Sequence, residues 1–383
     1  MARILVLSFS PIAADARVLK QVALLAATHD VTTCGYGPAP EGVARHLELP
    51  SDAPVAWHRA KLALVTRRYR AVYDGSAAIR AARRLLASED PFDVVLANDV
   101  ESVPLALELS PRCGVHADLH EYAPRQNEDD RRWRLVVAPY IRWLVRRFVA
   151  RAASVTTVGQ GLADEYRREF GIEADVVVNA TPLARLAPSP LTDDRPIRLV
   201  HTGAGLRNRH LEVMIDAVAT ATRPVTLDIY LTPNNPDYLG ELRACADGVA
   251  GVRLLDPLPY AELVPTINAY DVGVFVLPPV NFNYRWALPN KLFDFVQARL
   301  GVIVGPSPEM ARVVTEHGLG VVTDDFTSVG LARVLDTLTP EDVRGWKVAA
   351  HEAAESLSAQ SQVLVWGRAV ERLLARAGGE RDL

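Results

Sequence analysis

Short, mostly apolar runs alternate with amphipathic stretches along this chain, and the two kinds of segment predict different elements. Ile4–Ser8, Val31–Gly35, Val94–Ala97, Val115–Leu119, Val155–Val158 and Val176–Val178 read as strands. Their apolarity is continuous rather than alternating, which suits a parallel sheet covered on both faces. Asp15–Thr28, Ser76–Ala87, Trp133–Ala150 and Gly161–Phe170 read as helices between them. Strand and helix in turn make a doubly wound α/β domain.

The pattern stops at Ala180–Pro196, where Pro182, Pro188, Pro190 and Pro196 stand among Ser, Thr and Asp and predict an interdomain linker. It then restarts. Strands are predicted at Ile197–His201, Thr226–Tyr230, Val252–Leu254, Val272–Val276 and Val302–Val304. Helices are predicted at Leu211–Ala219, Tyr260–Ile267, Lys291–Arg299 and Glu309–Glu316. The expected domains are residues 1–182 and 197–360, joined by a linker at 183–196 and followed by an amphipathic helix in 361–383. Two such domains facing across a hinge enclose a cleft, and open α/β sheets bind ligands at their strand C-terminal ends.

Composition narrows the partners. A net charge of −4 over 383 residues, with 49% hydrophobic and 23% charged residues, describes a globular chain without a global pull toward nucleic acid or anionic membrane. Cys34, Cys113 and Cys245 are scattered singly, as expected of reduced thiols in the cytoplasm rather than of a disulfide or metal framework. The apolar opening is too short for a secretory signal, and no window offers the ~20 apolar residues of a membrane span. Residues 131–151 are basic and aromatic, and peripheral membrane contact is expected at most there. The favoured reading of that stretch is a cover helix whose Arg stems lie along the sheet.

Several segments carry a resemblance in order along nearly the whole chain. They are Ile4–Ser8 with Asp15–Gln21, Asp118-Leu-His120-Glu121-Tyr122, and Val155–Ala163 with Val176–Pro182. In the second half they are His201-Thr-Gly203-Ala-Gly205 through Glu212, Pro289-Asn290-Lys291-Leu292-Phe-Asp294-Phe, and Pro308-Glu309-Met310. Together they resemble the GT-B glycosyltransferases of the retaining family 4 type. The resemblance implies two Rossmann-like domains, with the C-terminal helix returning to the N-terminal one. Three departures stand out. Trp286 and Asp294 occupy the places of the family's two acidic residues, Ala204 replaces a basic residue after the glycine turn, and Ser10–Ala14 replaces a glycine-rich loop.

The resemblance implies a nucleoside-diphosphate-sugar as co-substrate, with no cofactor and no metal. Departure of a nucleoside diphosphate develops negative charge that cations and helix N-termini can meet. Arg207 and Arg209 follow the turn at Gly203, and Lys291, after Asn290, heads another helix. Basic residues at helix N-termini oppose the macrodipole, which favours a functional reason over a merely solvated one. Asp294, one turn past Lys291, is implied to hold the ribose hydroxyls, although an i,i+3 pair with Lys291 also fits. Leu292 and Glu309 complete the implied donor set. His120, at a strand end between acids, is implied to lie near the transferred sugar carbon. Asp15, Arg17, Asn98, Asp99 and Glu121 occupy strand-end positions where an acceptor would be held, or where ordinary caps and loop polars sit.

The expected reaction moves a sugar to an acceptor hydroxyl of a small molecule, glycan or lipid-linked sugar, with retention. An inverting enzyme would instead draw its base from Asp15, Asp99 or Glu121. The alternatives are a sugar-nucleotide 2-epimerase of the same fold and a non-catalytic sugar-nucleotide or glycan-binding subunit. No Gly-x-Gly-x-x-Gly fingerprint supports a nicotinamide dehydrogenase.

Overall fold

A computed structural model describes residues 1–55 and 60–379. In chain order the first elements are β1 (Arg3–Pro11), α1 (Ala16–Ala26), β2 (Asp30–Tyr36), β3 (Arg45–Glu48), α2 (Lys61–Val65), α3 (Tyr69–Asp74) and α4 (Ala77–Leu86). After them come β4 (Val94–Asn98), α5 (Val103–Glu108), β5 (Gly114–Leu119), α6 (Ala138–Arg147), β6 (Ser154–Thr157), α7 (Gln160–Phe170) and β7 (Asp175–Val176). The sheet order is β3-β2-β1-β4-β5-β6-β7, all parallel. Val6 of β1 pairs with Thr33 of β2 on one side and Leu96 of β4 on the other, so strand order reverses at β1. Ligand crevices form at such reversals.

Ile4, Leu5, Val6 and Leu7 are fully buried, because helices cover both faces of a parallel sheet. Asp15 starts α1 as its N-cap, accepting from the Arg17 and Val18 amides at 3.1 and 3.2 Å. Gly171, at φ +67, ends α7 in the left-handed conformation that glycine adopts without strain. The expected single helix 133–150 is broken: a π-helical turn over Trp133–Val137 precedes α6, and a 3₁₀ turn, Val149–Arg151, follows it.

The later elements are β8 (Ile197–Ala204), α8 (Glu212–Thr220), β9 (Val225–Thr232), α9 (Pro236–Asp247), β10 (Val252–Leu255), α10 (Tyr260–Ile267) and β11 (Val272–Phe275). The chain continues through α11 (Phe282–Arg285), α12 (Asn290–Gln297), β12 (Gly301–Val304), α13 (Pro308–Glu316) and β13 (Gly320–Val322). It closes with α14 (Ser328–Thr337), α15 (Pro340–Ala353) and α16 (Ala359–Gly379). The second sheet runs β10-β9-β8-β11-β12-β13, again parallel, with its reversal at β8. Its core is built on Leu199, Leu227, Ile229, Val274 and Ile303.

The chain divides into two compact units. One comprises Met1–Val178, Asn281–Asn283 and Val363–Leu383; the other comprises Asn179–Val280 and Tyr284–Gln362. In the first, Val370 and Leu373 of α16 join Ile4, Val6 and Val94 in one core, and Trp366 is 1% exposed. The last helix thus completes the N-terminal domain. Residues 380–383 of the expected C-terminal segment lie outside the described residues. The proline-marked stretch lies against the second unit, where Ala184 N donates to Gln297 Oε1 at 3.0 Å and Arg299 donates to Ala184 O at 2.7 Å. Among the described residues the three cysteines are free thiols, and no helix is long and apolar enough to cross a membrane.

Candidate functional site

The second unit carries a cavity of about 460 Å³ at the C-terminal ends of β8 and β9 and the start of α12. Its polar lining includes Thr202, Arg209, Asn290, Lys291 and Asp294, and its apolar walls are Pro257, Leu258, Leu263 and the Tyr260 ring. The size suits a small-molecule ligand. At Gly203 the backbone turns with φ +133, and an added Cβ would stand 2.8 Å from Lys291 Nζ and 3.5 Å from an Arg209 guanidinium nitrogen. A bare glycine thus lets two cations converge on one backbone segment.

Lys291 is 7% exposed, with its Nζ 3.1 Å from His201 Nε2 and 3.9 Å from the centre of the Phe275 ring. His201 Nδ1 donates to Val274 O at 2.8 Å, so Nε2 is left to accept from the ammonium. Burial, with the Lys291 charge adding to it, holds the His201 pKa well below the ordinary value, and the ring is neutral. Burial first, then the Arg209 charge, hold the Lys291 pKa well below its usual value, with Asp294 pulling the other way. Thr181 donates to Asp294 Oδ1 at 2.5 Å. Arg209 pairs with no carboxylate among the described residues, and its charge remains available to a ligand. The arrangement is a pre-formed, partly desolvated anion site beside a carboxylate with acceptor capacity.

The first unit carries a buried polar network centred on Asp118, the penultimate residue of β5. Arg17 grips the Asp118 carboxylate through Nε at 2.7 Å and Nη2 at 2.6 Å. Gln21 and Thr156 donate at 2.7 and 2.6 Å, and Trp366 Nε1 at 3.3 Å. Burial alone would raise this carboxyl, but Arg17 and His120 hold it well below its ordinary range. His120, 20% exposed, places Nε2 3.3 Å from Asp118 Oδ2 and Nδ1 3.3 Å from Asp99 Oδ2. Burial works against the charged ring, yet Asp99 and Asp118 outweigh it and raise its pKa. Asp99 also accepts from the His120 amide at 3.1 Å, from a left-handed backbone at φ +62. Burial, with Asp99 adding to it, pushes the nearby Glu101 up to about 7.

The expected donor residues separate in the structure. Gly203, Arg209, Asn290, Lys291 and Asp294 line one cavity. Leu292 is a core residue at 1% exposure. Arg207 lies outside the cavity lining and forms a two-pronged pair with Glu241 at 2.6 Å per bond. Glu309, buried in the first turn of α13, pairs with Arg312 at 3.1 Å and is also outside that lining. Of the expected acceptor residues, Asp15 caps α1, while Arg17 and Asn98 are buried in the Asp118 network. Their side chains are already engaged, which is the physical reason they do not present open contacts. Asp99 holds His120, and Glu121 is exposed. Reading by sequence missed Thr181, His201, Tyr260 and Trp366. Only His201, a lone histidine ending an apolar strand two residues before a glycine, left a signal there.

Comparison with known proteins agrees with this fold. Residues 14–181 match the model of the glycosyl transferase 4-like domain. Sucrose-phosphate synthase from Thermosynechococcus elongatus superposes with a TM-score of 0.72 at 14% identity, covering 98% of this chain and 100% of that one. Anabaena HepE in complex with UDP-glucose gives 0.68 at 14% identity, over 97% and 100%. The α,α-trehalose 6-phosphate synthase from Burkholderia multivorans gives 0.67 at 13%, over 98% and 100%. No curated protein sequence matched. The two doubly wound sheets therefore have the GT-B fold. The match to the glycosyl transferase 4-like domain covers the N-terminal domain, and the likeness of the whole chain to these solved structures is one of fold.

Proposed function

We propose that this chain moves a sugar from a nucleoside-diphosphate-sugar to an acceptor hydroxyl in the cytoplasm, with retention and with protein cations in place of a metal. The observation that carries the reading is the convergence of Arg209 and Lys291 on Gly203, beside Asp294, in one cavity. A diphosphate there would meet two positive charges in a site of reduced dielectric, where each acts more strongly than in water. Asp294 would accept from ribose hydroxyls, and Tyr260 and Leu258 would cover apolar parts of the nucleotide. The UDP-glucose bound by Anabaena HepE supports uridine nucleotides as the first donors to try.

In this reaction the bond from the anomeric carbon to the leaving phosphate oxygen breaks while the acceptor oxygen bonds to that carbon on the same face. The acceptor proton passes to the departing phosphate, so no dedicated protein base is required. Arg209 and Lys291 neutralise the charge that develops on the diphosphate. His120, by its resemblance to the family's histidine and its position between two carboxylates, is assigned to orienting the transferred sugar. The acceptor is a small molecule, a glycan or a lipid-linked sugar.

The test is a product assay with a panel of nucleotide sugars and acceptors, read by nuclear magnetic resonance. Nucleoside diphosphate and an α-linked product from an α-linked donor, formed only with acceptor present, are expected. A β-linked product would overturn retention. Epimerised donor without acceptor would replace transfer by epimerisation, and donor binding without turnover would leave a non-catalytic subunit.

A further inference from the structure

After the terminal Met1, the most exposed large apolar side chains among the described residues are Leu62, Leu135 and Val65, at 78, 73 and 66%. Leu62 and Val65 share α2, and Leu135, 70 positions further on, belongs to the π-helical turn before α6, which packs on α2. Isolated exposed apolar side chains need no explanation, but three on adjoining elements do. The same surface is basic. Segments 61–70 and 131–147 hold ten Lys and Arg and no Asp or Glu, in a chain whose net charge is −4.

A cavity of about 460 Å³ lies between the loop after α2 and α6, lined by Arg67, Tyr69, Trp143, Arg146 and Arg147 among others. Arg142 and Arg146, on its α6 side, share the single carboxylate Glu169 at 2.9 and 3.8 Å. Arg67, Arg68, Arg131 and Arg147 are exposed and pair with no carboxylate among the described residues. Tyr69 and Trp143 stand with ring centroids 5.8 Å apart, presenting amphipathic rings beside those cations.

We propose that this face docks on an anionic lipid bilayer, with Leu62, Val65 and Leu135 entering the interfacial zone and the unpaired arginines meeting lipid phosphates. Charge complementarity selects this occupant. Exposed apolar side chains on the segments that carry Arg67, Arg68 and Arg131, which pair with no carboxylate among the described residues, match a surface that is apolar within and negative at its boundary. A second copy of the same face would set arginines against arginines. The inference does not depend on the donor cavity, whose residues lie elsewhere.

The full chain is floated with phosphatidylglycerol–phosphatidylcholine vesicles and with phosphatidylcholine vesicles at low and high salt. At low salt the bound fraction should be at least about tenfold greater on the anionic vesicles, falling steeply with salt. The Arg67→Glu/Arg147→Glu pair should abolish that preference, and the Leu62→Ser/Leu135→Ser pair should lower binding to anionic vesicles severalfold. Wild-type melting temperature and unchanged nucleotide-sugar binding in both pairs show that the fold is intact. Equal partition onto both vesicle types, or anionic binding that neither pair alters, overturns the proposal. Concentration-dependent dimerisation lost in the Leu62→Ser/Leu135→Ser pair, without vesicle binding, assigns the face to a second copy instead.

Discussion

Lys291 Nζ donates to the neutral imidazole of His201 at 3.1 Å, so a buried ammonium rests on a partner that carries no charge. Its nearest electrostatic neighbours conflict: Arg209 depresses its pKa and Asp294 raises it. The site holds more positive charge than it neutralises internally, and a ligand diphosphate would correct that imbalance.

Lys291→Met should therefore separate stability from binding. Between its depressed pKa and 10.5 the folded chain binds fewer protons at Lys291 than the unfolded chain does. Stability from this group thus rises with pH across that window. Removing the buried charge should stabilise the ligand-free protein by about 1 kcal/mol or more at pH 7. It should weaken nucleoside diphosphate binding by about 1.5–3 kcal/mol. Urea unfolding at pH 7 and 9, with a nucleotide titration of the same variant, checks both signs.

His120→Ala should lower kcat by about 10²-fold, with nucleoside diphosphate affinity unchanged. Its raised folded pKa means that its stabilising contribution is full below about 6.5 and is lost as pH rises through the folded value. The variant should lack that decline, which urea midpoints from pH 5.5 to 8.5 would reveal. Normal turnover per folded molecule would remove His120 from the mechanism.

Arg17→Met should cost about 3–5 kcal/mol, because it strands the buried Asp118 carboxylate. Asp118 has a depressed folded pKa, so its contribution is present above 3.8 and lost as pH falls through the folded value. Arg17→Lys should restore only part of the stability, since an ammonium cannot reproduce the two-pronged grip. Chemical denaturation of both variants decides whether Arg17 is structural or an acceptor contact.

Gly203→Ala should lower nucleoside diphosphate affinity about tenfold and cost about 1 kcal/mol of stability. The φ of +133 strains any residue with a Cβ, and that Cβ would displace the Lys291 ammonium at 2.8 Å. A titration and a melting curve of the variant read both effects.

Much of the alternation was legible, because parallel strands such as β1, β4 and β12 are apolar on both faces. Helix α10 falls at Tyr260–Ile267, where the pattern predicts it. β3 and β7 are short edge strands, and only β7 overlapped a predicted strand, Val176–Val178. Helices α9, α14 and α15 were also missed, their starts marked by Asn235, Thr327 and Thr339 caps rather than by a strong apolar stripe. In the site, Lys291 and Arg209 were legible as cations at helix starts. Thr181 was not, since it reaches Asp294 across 113 positions of sequence. The pairing of Arg17 with Asp118 was not legible either, because 101 residues separate the two and only folding brings them together.

The most direct test of the account is calorimetric titration of a nucleoside diphosphate panel, uridine diphosphate first, into wild-type protein and Arg209→Ala, each with and without EDTA. The account predicts that at least one nucleotide binds wild-type protein equally well with and without EDTA. It predicts affinity about 10- to 100-fold weaker in Arg209→Ala. Equal affinity in the two proteins, or binding that EDTA abolishes and magnesium restores, would contradict it.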